Sequence, residues 1–127
     1  MITRLSLQEQ IDLIHNKEIK IEELFQEYLS NIDKLNPQLN AIVSLRERDW
    51  IIKKAQEQDS LKQDNKIKQI LFGLPIATKE LFDVKELPTT YGIPEYQNEF
   101  PETDSLIIKN LKQQGATIIG KSNMAEL

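Results

Sequence analysis

The sequence predicts an α/β fold: N-terminal helices, then the first strands and the crossover helix of a sheet. Three observations carry this. The first 60 residues place apolar side chains at helical spacing. Residues 70–77 are almost continuously apolar, as strands buried on both faces are. A helical stretch near residues 104–114 then leads to a second short apolar run, Ala116-Thr117-Ile118-Ile119-Gly120. Strand, crossover helix and strand make an α/β unit with parallel pairing.

The elements follow in order. Ser6-Leu7-Gln8-Glu9 fits a capping box, in which Ser6 accepts from a first-turn amide and Glu9 reaches back to the amide of Ser6. Leu7, Ile11 and Ile14 follow at helical spacing, and Asn16 is the expected stop. Ile21, Leu24, Phe25, Tyr28, Leu29, Ile32 and Leu35 form one apolar stripe of a second helix. Asn36-Pro37 is expected to end it, because the residue before a proline is pushed out of the helical region. Leu39-Asn40-Ala41-Ile42-Val43 reads as a short extended piece, and Ser44-Leu45-Arg46-Glu47 as a second capping box. The helix behind it, to about Ser60, carries a thin stripe of Ile51, Ile52 and Ala55; Gln58 to Gln69 reads as a solvated connection. Ile70-Leu71-Phe72 and Leu74-Pro75-Ile76-Ala77 read as strands. Pro88, Gly92, Pro94 and Pro101 punctuate a loop region. Asp104 is the expected cap of a helix carrying Leu106, Ile107 and Leu111, and Gly115 its left-handed stop. After the strand at 116–120, Asn123 with Glu126 three positions on is expected to open a further helix. A strand that has just left its sheet and a single helical turn do not finish a domain. Residues 1–127 are therefore expected to be the N-terminal part of a single domain whose remainder is missing.

Composition bounds the function. The 127 residues carry 28% charged side chains and a net charge of -4. A nucleic-acid surface needs a basic excess, so direct nucleic-acid binding is not expected. There is no cysteine, which removes disulfides, a thiol nucleophile and a cysteine metal site, and fits a reducing compartment. No apolar run approaches the roughly 20 residues of a membrane span, and MITRLSLQEQ has no signal-peptide core. A cytoplasmic protein is the expectation. No cofactor is expected. His15, the single histidine, lies at a helix end, so no metal site is expected either. Trp50 and the three tyrosines are scattered and make no stacking platform; Tyr28 reads as core.

The candidate catalytic residue is Lys79. Any lysine is ordinarily a solvated surface charge. This one follows an apolar strand directly, and in open α/β sheets ligand crevices lie at the carboxyl ends of strands. A lysine drawn into such a crevice loses hydration, its ammonium is disfavoured, and the neutral amine can act as a general base. Glu80 and Asp83 would oppose this by stabilising the ammonium.

Several runs resemble one enzyme family. Phe72-Gly73-Leu74-Pro75-Ile76-Ala77-Thr78-Lys79-Glu80, then Phe82-Asp83-Val84 and Leu87-Pro88-Thr89-Thr90-Tyr91-Gly92, resemble the start of the amidase signature, G-[IV]-P-[IV]-A-x-K-D followed by D-V-x-G-L-P-T-T-x-G. Gly115-Ala116-Thr117-Ile118-Ile119-Gly120-Lys121-Ser122-Asn123-Met124-Ala125-Glu126 resembles the family's G-A-x-[IV]-[IV]-G-K-T-N-x-x-E. Leu35-Asn36-Pro37-Gln38-Leu39-Asn40-Ala41 resembles the segment joining its first helices. The resemblance covers essentially the whole chain in order. It implies the first part of an amidase-signature mixed sheet, incomplete here. It also implies hydrolysis of carbon–nitrogen bonds of small carboxamides by a Ser–cis-Ser–Lys triad.

Lys79 matches the family lysine, which acts as base through a serine held by a cis peptide bond and so activates the nucleophilic serine. Both family serines lie downstream, in a Gly/Ser-rich stretch with the oxyanion-hole amides. The six serines here, Ser6, Ser30, Ser44, Ser60, Ser105 and Ser122, are isolated, and none sits in a glycine-rich turn. Ser6, Ser44 and Ser122 read as helix-start residues. The chain alone is therefore expected to be inactive. The family's aspartate after the lysine is Glu80 here, and the glycine before Leu-Pro-Thr-Thr is Glu86. Lys121 also follows a buried strand, and the family match makes it a structural or rim residue. Three versions stay open: a stand-alone amidase, toward which Phe82-Asp83-Val84 with Leu87-Pro88-Thr89-Thr90 leans; the A subunit of a tRNA-dependent glutaminyl or asparaginyl amidotransferase, working with B and C subunits; and a non-catalytic truncated remnant.

Overall fold

The computed structural model describes residues 1–62 and 68–126. The middle of the expected connection between Gln58 and Gln69 lies outside the described residues. The elements in chain order are α1 (Leu7–His15), α2 (Ile21–Leu39), β1 (Ile42–Leu45), α3 (Arg48–Leu61), β2 (Pro75–Lys79), α4 (Leu106–Gln113) and β3 (Thr117–Ser122). The sheet runs β1-β3-β2, with β3 antiparallel to β1 and parallel to β2. The fold is thus the mixed α/β arrangement expected, and 76–78 and 117–119 do lie in one sheet.

The central position of β3 explains its texture. Thr117 to Lys121 are all buried, as a strand covered on both faces requires. Neighbouring residues of a strand point to opposite faces, and Ile118 and Ile119 join different clusters. Ile119 packs with Ile14, Ile21, Leu24, Phe25, Leu29, Ile51 and Ala55 of the three N-terminal helices. Ile118 packs with Val84, Leu87 and Ile108. The stripe of α2 is therefore buried where it meets the sheet, whereas Leu35, further along, is 48% exposed. Tyr28 packs against the first cluster and its hydroxyl donates to Gln10 Oε1 at 3.0 Å.

The caps of α1 and α4 divide. Ser6 and Glu9 form the capping box, and Asn16 ends α1. Gly115 takes φ +89 after α4. The position before α4 belongs to Ser105, not Asp104. Asp104 instead accepts from the Lys85 amide at 2.8 Å and from Lys112 Nζ at 2.7 Å, so it ties the start of α4 to the loop after β2.

Four other expectations differ from the structure. Pro37 lies inside α2, which continues to Leu39 and ends at Asn40 in the left-handed region, φ 47. The Asn36 side chain accepts from the Ile42 amide at 2.8 Å and donates to its carbonyl at 2.9 Å. That clamp holds the residue before the proline while the chain turns into β1. Ser44 and Leu45 belong to β1 rather than to a capping box, and α3 starts after Glu47. The ladder to β3 takes this backbone: the Arg46 amide still donates to Ile119 O at 2.8 Å. Residues 70–73 form turns, not a strand. Phe72 is buried because it faces the helical core, and Gly73 turns the chain at φ +82. Residues 123–126 are not helical. The Asn123 amide donates to Ala41 O at 2.8 Å and its side chain to Asn40 O at 3.0 Å, which draws the chain along the α2–β1 junction.

Candidate functional site

Lys79 closes β2 at its carboxyl end. Pro75 opens that strand, a position where the missing N–H is tolerated. The pairing with β3 shifts register between Ile76 and Ala77, which sets Thr78 opposite Lys121 and Lys79 opposite Ser122. Thr78 and Glu80 are buried while Lys79 between them is exposed, the alternation a strand imposes. Among the described residues nothing covers the Lys79 side chain.

The buried lysine is Lys121. Its side chain is 0% exposed and that of Glu80 1%. Gly120 brings β3 close to β1 beside it: a Cβ there would lie 2.4 Å from Ser44 O. Lys121 Nζ donates to Pro88 O at 2.7 Å and to Thr89 Oγ1 at 3.1 Å, and stands 3.7 Å from Glu80 Oε1. The same Glu80 oxygen accepts from the Thr90 amide at 2.7 Å and from the Thr90 hydroxyl at 2.9 Å. Burial pulls the Lys121 pKa below its ordinary 10.5, and the Glu80 and Asp83 carboxylates oppose the shift. Lys121 thus lies wholly inside rather than at a rim.

The pair pins the Pro88–Gly92 loop beneath the end of β2. Tyr91 and Gly92 both sit at positive φ, 51 and 76. Gly92 is needed for closeness as well: a Cβ would lie 3.0 Å from Ala125 O. Gly92 thus packs against the 123–126 segment, which continues from Ser122, the cross-strand neighbour of Lys79. Sequence reasoning missed this pair. The available signal was an acidic residue directly after one strand and a lysine within the next, each in a buried setting.

The remaining candidates separate from Lys79. His15 is exposed at the end of α1. Trp50 carries the Arg46 guanidinium 4.3 Å from its ring centroid, a structural cation–π contact. Arg46 itself donates to Ile118 O at 2.9 Å and to Lys85 O at 3.0 Å, and pairs with Glu86 at 3.1 Å. Of the six serines, Ser6 caps α1, Ser44 lies in β1, and Ser122 is the cross-strand neighbour of Lys79.

With this geometry in hand, comparison with known proteins is decisive at the level of family. The amidase family model matches residues 23–127. The chain belongs to the amidase signature family. It is 34% identical over 123 residues to the A subunit of the glutamyl-tRNA(Gln) amidotransferase of Sulfurihydrogenibium sp. (strain YO3AOP1), covering 95% of this chain and 25% of that protein. The corresponding protein of Legionella pneumophila (strain Corby) is 40% identical over 113 residues, 89% of this chain and 23% of that one. Among solved structures, the peptide amidase of Stenotrophomonas maltophilia superposes with a TM-score of 0.81 at 28% identity, over 91% of this chain and 24% of that chain. An amidase family protein of Bacillus anthracis str. Ames gives 0.83 at 26% identity, over 98% and 25%. The chain spans about a quarter of the length of the curated relatives it matches. No described helix is long and apolar enough to cross a membrane.

Proposed function

We propose that this chain supplies the general base, Lys79, to an amidase-signature enzyme acting on carboxamide carbon–nitrogen bonds. The observation that carries the reading is the place of Lys79. It ends β2, parallel to β3, at the strand end where ligands of open α/β sheets bind. The family resemblance assigns it the proton-accepting role. The nucleophilic serine and the cis serine belong to family segments beyond those matched in these 127 residues. In this reading Lys79 is covered, and so desolvated, by parts of the enzyme outside this quarter of the relatives' length; only then does its amine lose the proton readily. The neutral amine takes a proton from the cis serine. That serine takes one from the nucleophile, whose oxygen attacks the carboxamide carbon. The proton returns to the nitrogen as the carbon–nitrogen bond breaks, and water then attacks the acyl-serine ester, releasing the acid and restoring the serine. By themselves the 127 residues have no hydrolase activity. The reaction takes place in the cytoplasm, which the absence of cysteine fits.

Between the enzyme versions, the amidotransferase version is the better supported. Relatives so named lie at 32–40% identity, above the 28% of the peptide amidase. In that version the amide is glutamine or asparagine and the protein works with B and C subunits. A stand-alone amidase on small carboxamides is the second reading, supported by the peptide amidase likeness. The test uses the protein from its complete reading frame, with any subunits that co-purify. Ammonia release from glutamine, propionamide and a C-terminally amidated dipeptide is followed. Release that depends on Lys79 supports the reading, and the preferred amide separates the versions. No release from any of them, or release unaffected by Lys79→Ala, rejects the enzyme reading and leaves the remnant.

A further inference from the structure

The Lys121–Glu80 pair lies outside the proton relay just described, yet it joins the end of β2, the neighbouring strand β3 and the Pro88–Thr90 segment. Thr78 and Glu80, the two residues flanking Lys79, are both buried. The Glu80 amide donates to Ser122 O at 3.1 Å, and the Phe82 amide to Lys79 O at 3.1 Å. So the backbone on either side of Lys79 is fixed to β3 and to the following turn. Lys121, opposite Thr78 in the ladder, carries its charge across to Pro88 O and Thr89 Oγ1. Glu80 carries its own to the Thr90 amide and hydroxyl. The loop at positive φ, Tyr91-Gly92, starts where these bonds end.

A buried charge pair is a costly way to hold a loop, since apolar residues of similar volume often serve stability as well or better. What apolar residues cannot do is fix direction. The Nζ donors and the carboxylate oxygen meet two backbone groups and two hydroxyls at defined distances, and this locks the loop in register with the strand end. We propose that Lys121 and Glu80 are positioning residues for Lys79: their buried pair braces the 88–92 loop against the end of β2 and so sets the direction in which the Lys79 amine is presented. The proposal rests on the reading of Lys79 as the general base. Glu80, one methylene longer than the family's aspartate, reaches both Lys121 and Thr90 from the position next to the base.

The test replaces the pair with apolar side chains of similar length, Glu80→Met with Lys121→Met, in the protein from its complete reading frame. Removing both partners leaves no stranded charge, so the double variant melts closer to the parent than Lys121→Met alone does. A misdirected catalytic group costs rate rather than binding, so kcat falls by about tenfold to a hundredfold while KM changes less than about threefold. The Thr90 amide loses at least about tenfold of its hydrogen-exchange protection. A double variant that keeps kcat within about threefold of the parent shows that the pair serves stability alone and overturns the proposal. If the double variant does not fold, the parent decides. Its Thr90 amide must exchange as slowly as the amides of β3. Exchange about a hundredfold faster means the loop opens freely, and the brace is rejected. Lys79→Ala run in parallel keeps the two ideas apart. Loss with Lys79→Ala and none with the double variant rejects the brace only. Unchanged activity with Lys79→Ala rejects the base reading, and the exchange measurement still judges the brace.

Discussion

Lys121→Met is the most informative single substitution for stability. It keeps the side-chain length and deletes the ammonium. Two hydrogen bonds vanish, to Pro88 O and Thr89 Oγ1, together with the ion pair at 3.7 Å. Glu80 remains behind at 1% exposure with no cation beside it. An exposed ion pair would be worth about 0–1 kcal/mol. Here neither partner meets solvent, so the buried case applies: removing one partner costs about 3–5 kcal/mol, because the other charge is stranded. Set against a domain stability of about 5–15 kcal/mol, that is a large share. Urea unfolding at pH 7.5 reads it as a lower midpoint with an unchanged slope. The pH dependence adds a second signature. The folded-state pKa of Lys121 lies below its unfolded 10.5. Between those two values the folded protein has released a proton that the unfolded chain still holds. Stability therefore rises with pH through that window and levels off above 10.5. Lys121→Met removes this rise. A loss below about 1 kcal/mol, the exposed-pair range, with the alkaline rise intact, would refute the claim that this lysine is buried, charged and paired.

Two further outcomes follow from geometry. Gly120→Ala places a Cβ 2.4 Å from Ser44 O and 3.2 Å from Leu45 Cα, both backbone atoms that cannot rotate aside. Overpacking of this kind costs about 1–3 kcal/mol, read by urea unfolding; a neutral result would mean that β1 does not pair there. Burial works to raise the Asp104 pKa, but the bonds from Lys112 and the Lys85 amide outweigh it and hold the group below 3.8. Its contribution is present above pH 3.8 and is lost as pH falls through the lowered value. The stability gap between parent and Asp104→Asn, measured at pH 7 and again near pH 2, should close on acidification; a gap of constant size would deny the ion pair with Lys112.

What could be read from the chain, and what could not, divides along physical lines. The α2 stripe and the run Thr117-Ile118-Ile119 were legible because burial imposes a period, or removes one, that side chains record directly. Ile70-Leu71-Phe72 misled for a different reason. Only Phe72 of the three is buried, and Ile70 is 64% exposed, so the apolar run is a turn with one core contact; its amides meet the Gln114 and Gln69 carbonyls instead of a strand. Pro37 misled because a local rule was overridden by the Asn36–Ile42 clamp. Asn123 offered a cap pattern whose amide was already taken by Ala41. At the site, strand-end position and motif both pointed to Lys79. Among the described residues the buried lysine is Lys121, and Lys79 is exposed. Two lysines near the ends of adjacent parallel strands look alike in sequence, and alternation within each strand sends one to solvent and the other inward. Lys109 of α4, exposed like Lys79, is therefore the matched control for it.

The central claim is that Lys79 takes the proton. The direct measurement is kcat/KM for ammonia release from the preferred amide, in the protein from its complete reading frame, comparing parent, Lys79→Ala, Lys79→Arg and Lys109→Ala. Loss of a general base lowers the rate by about a hundredfold to ten-thousandfold, so Lys79→Ala should fall by that much with its melting temperature unchanged. Lys79→Arg should not restore it, because a guanidinium stays protonated at any working pH, and Lys109→Ala should match the parent. Lys79→Ala within about threefold of the parent, or full rescue by arginine, would contradict the assignment.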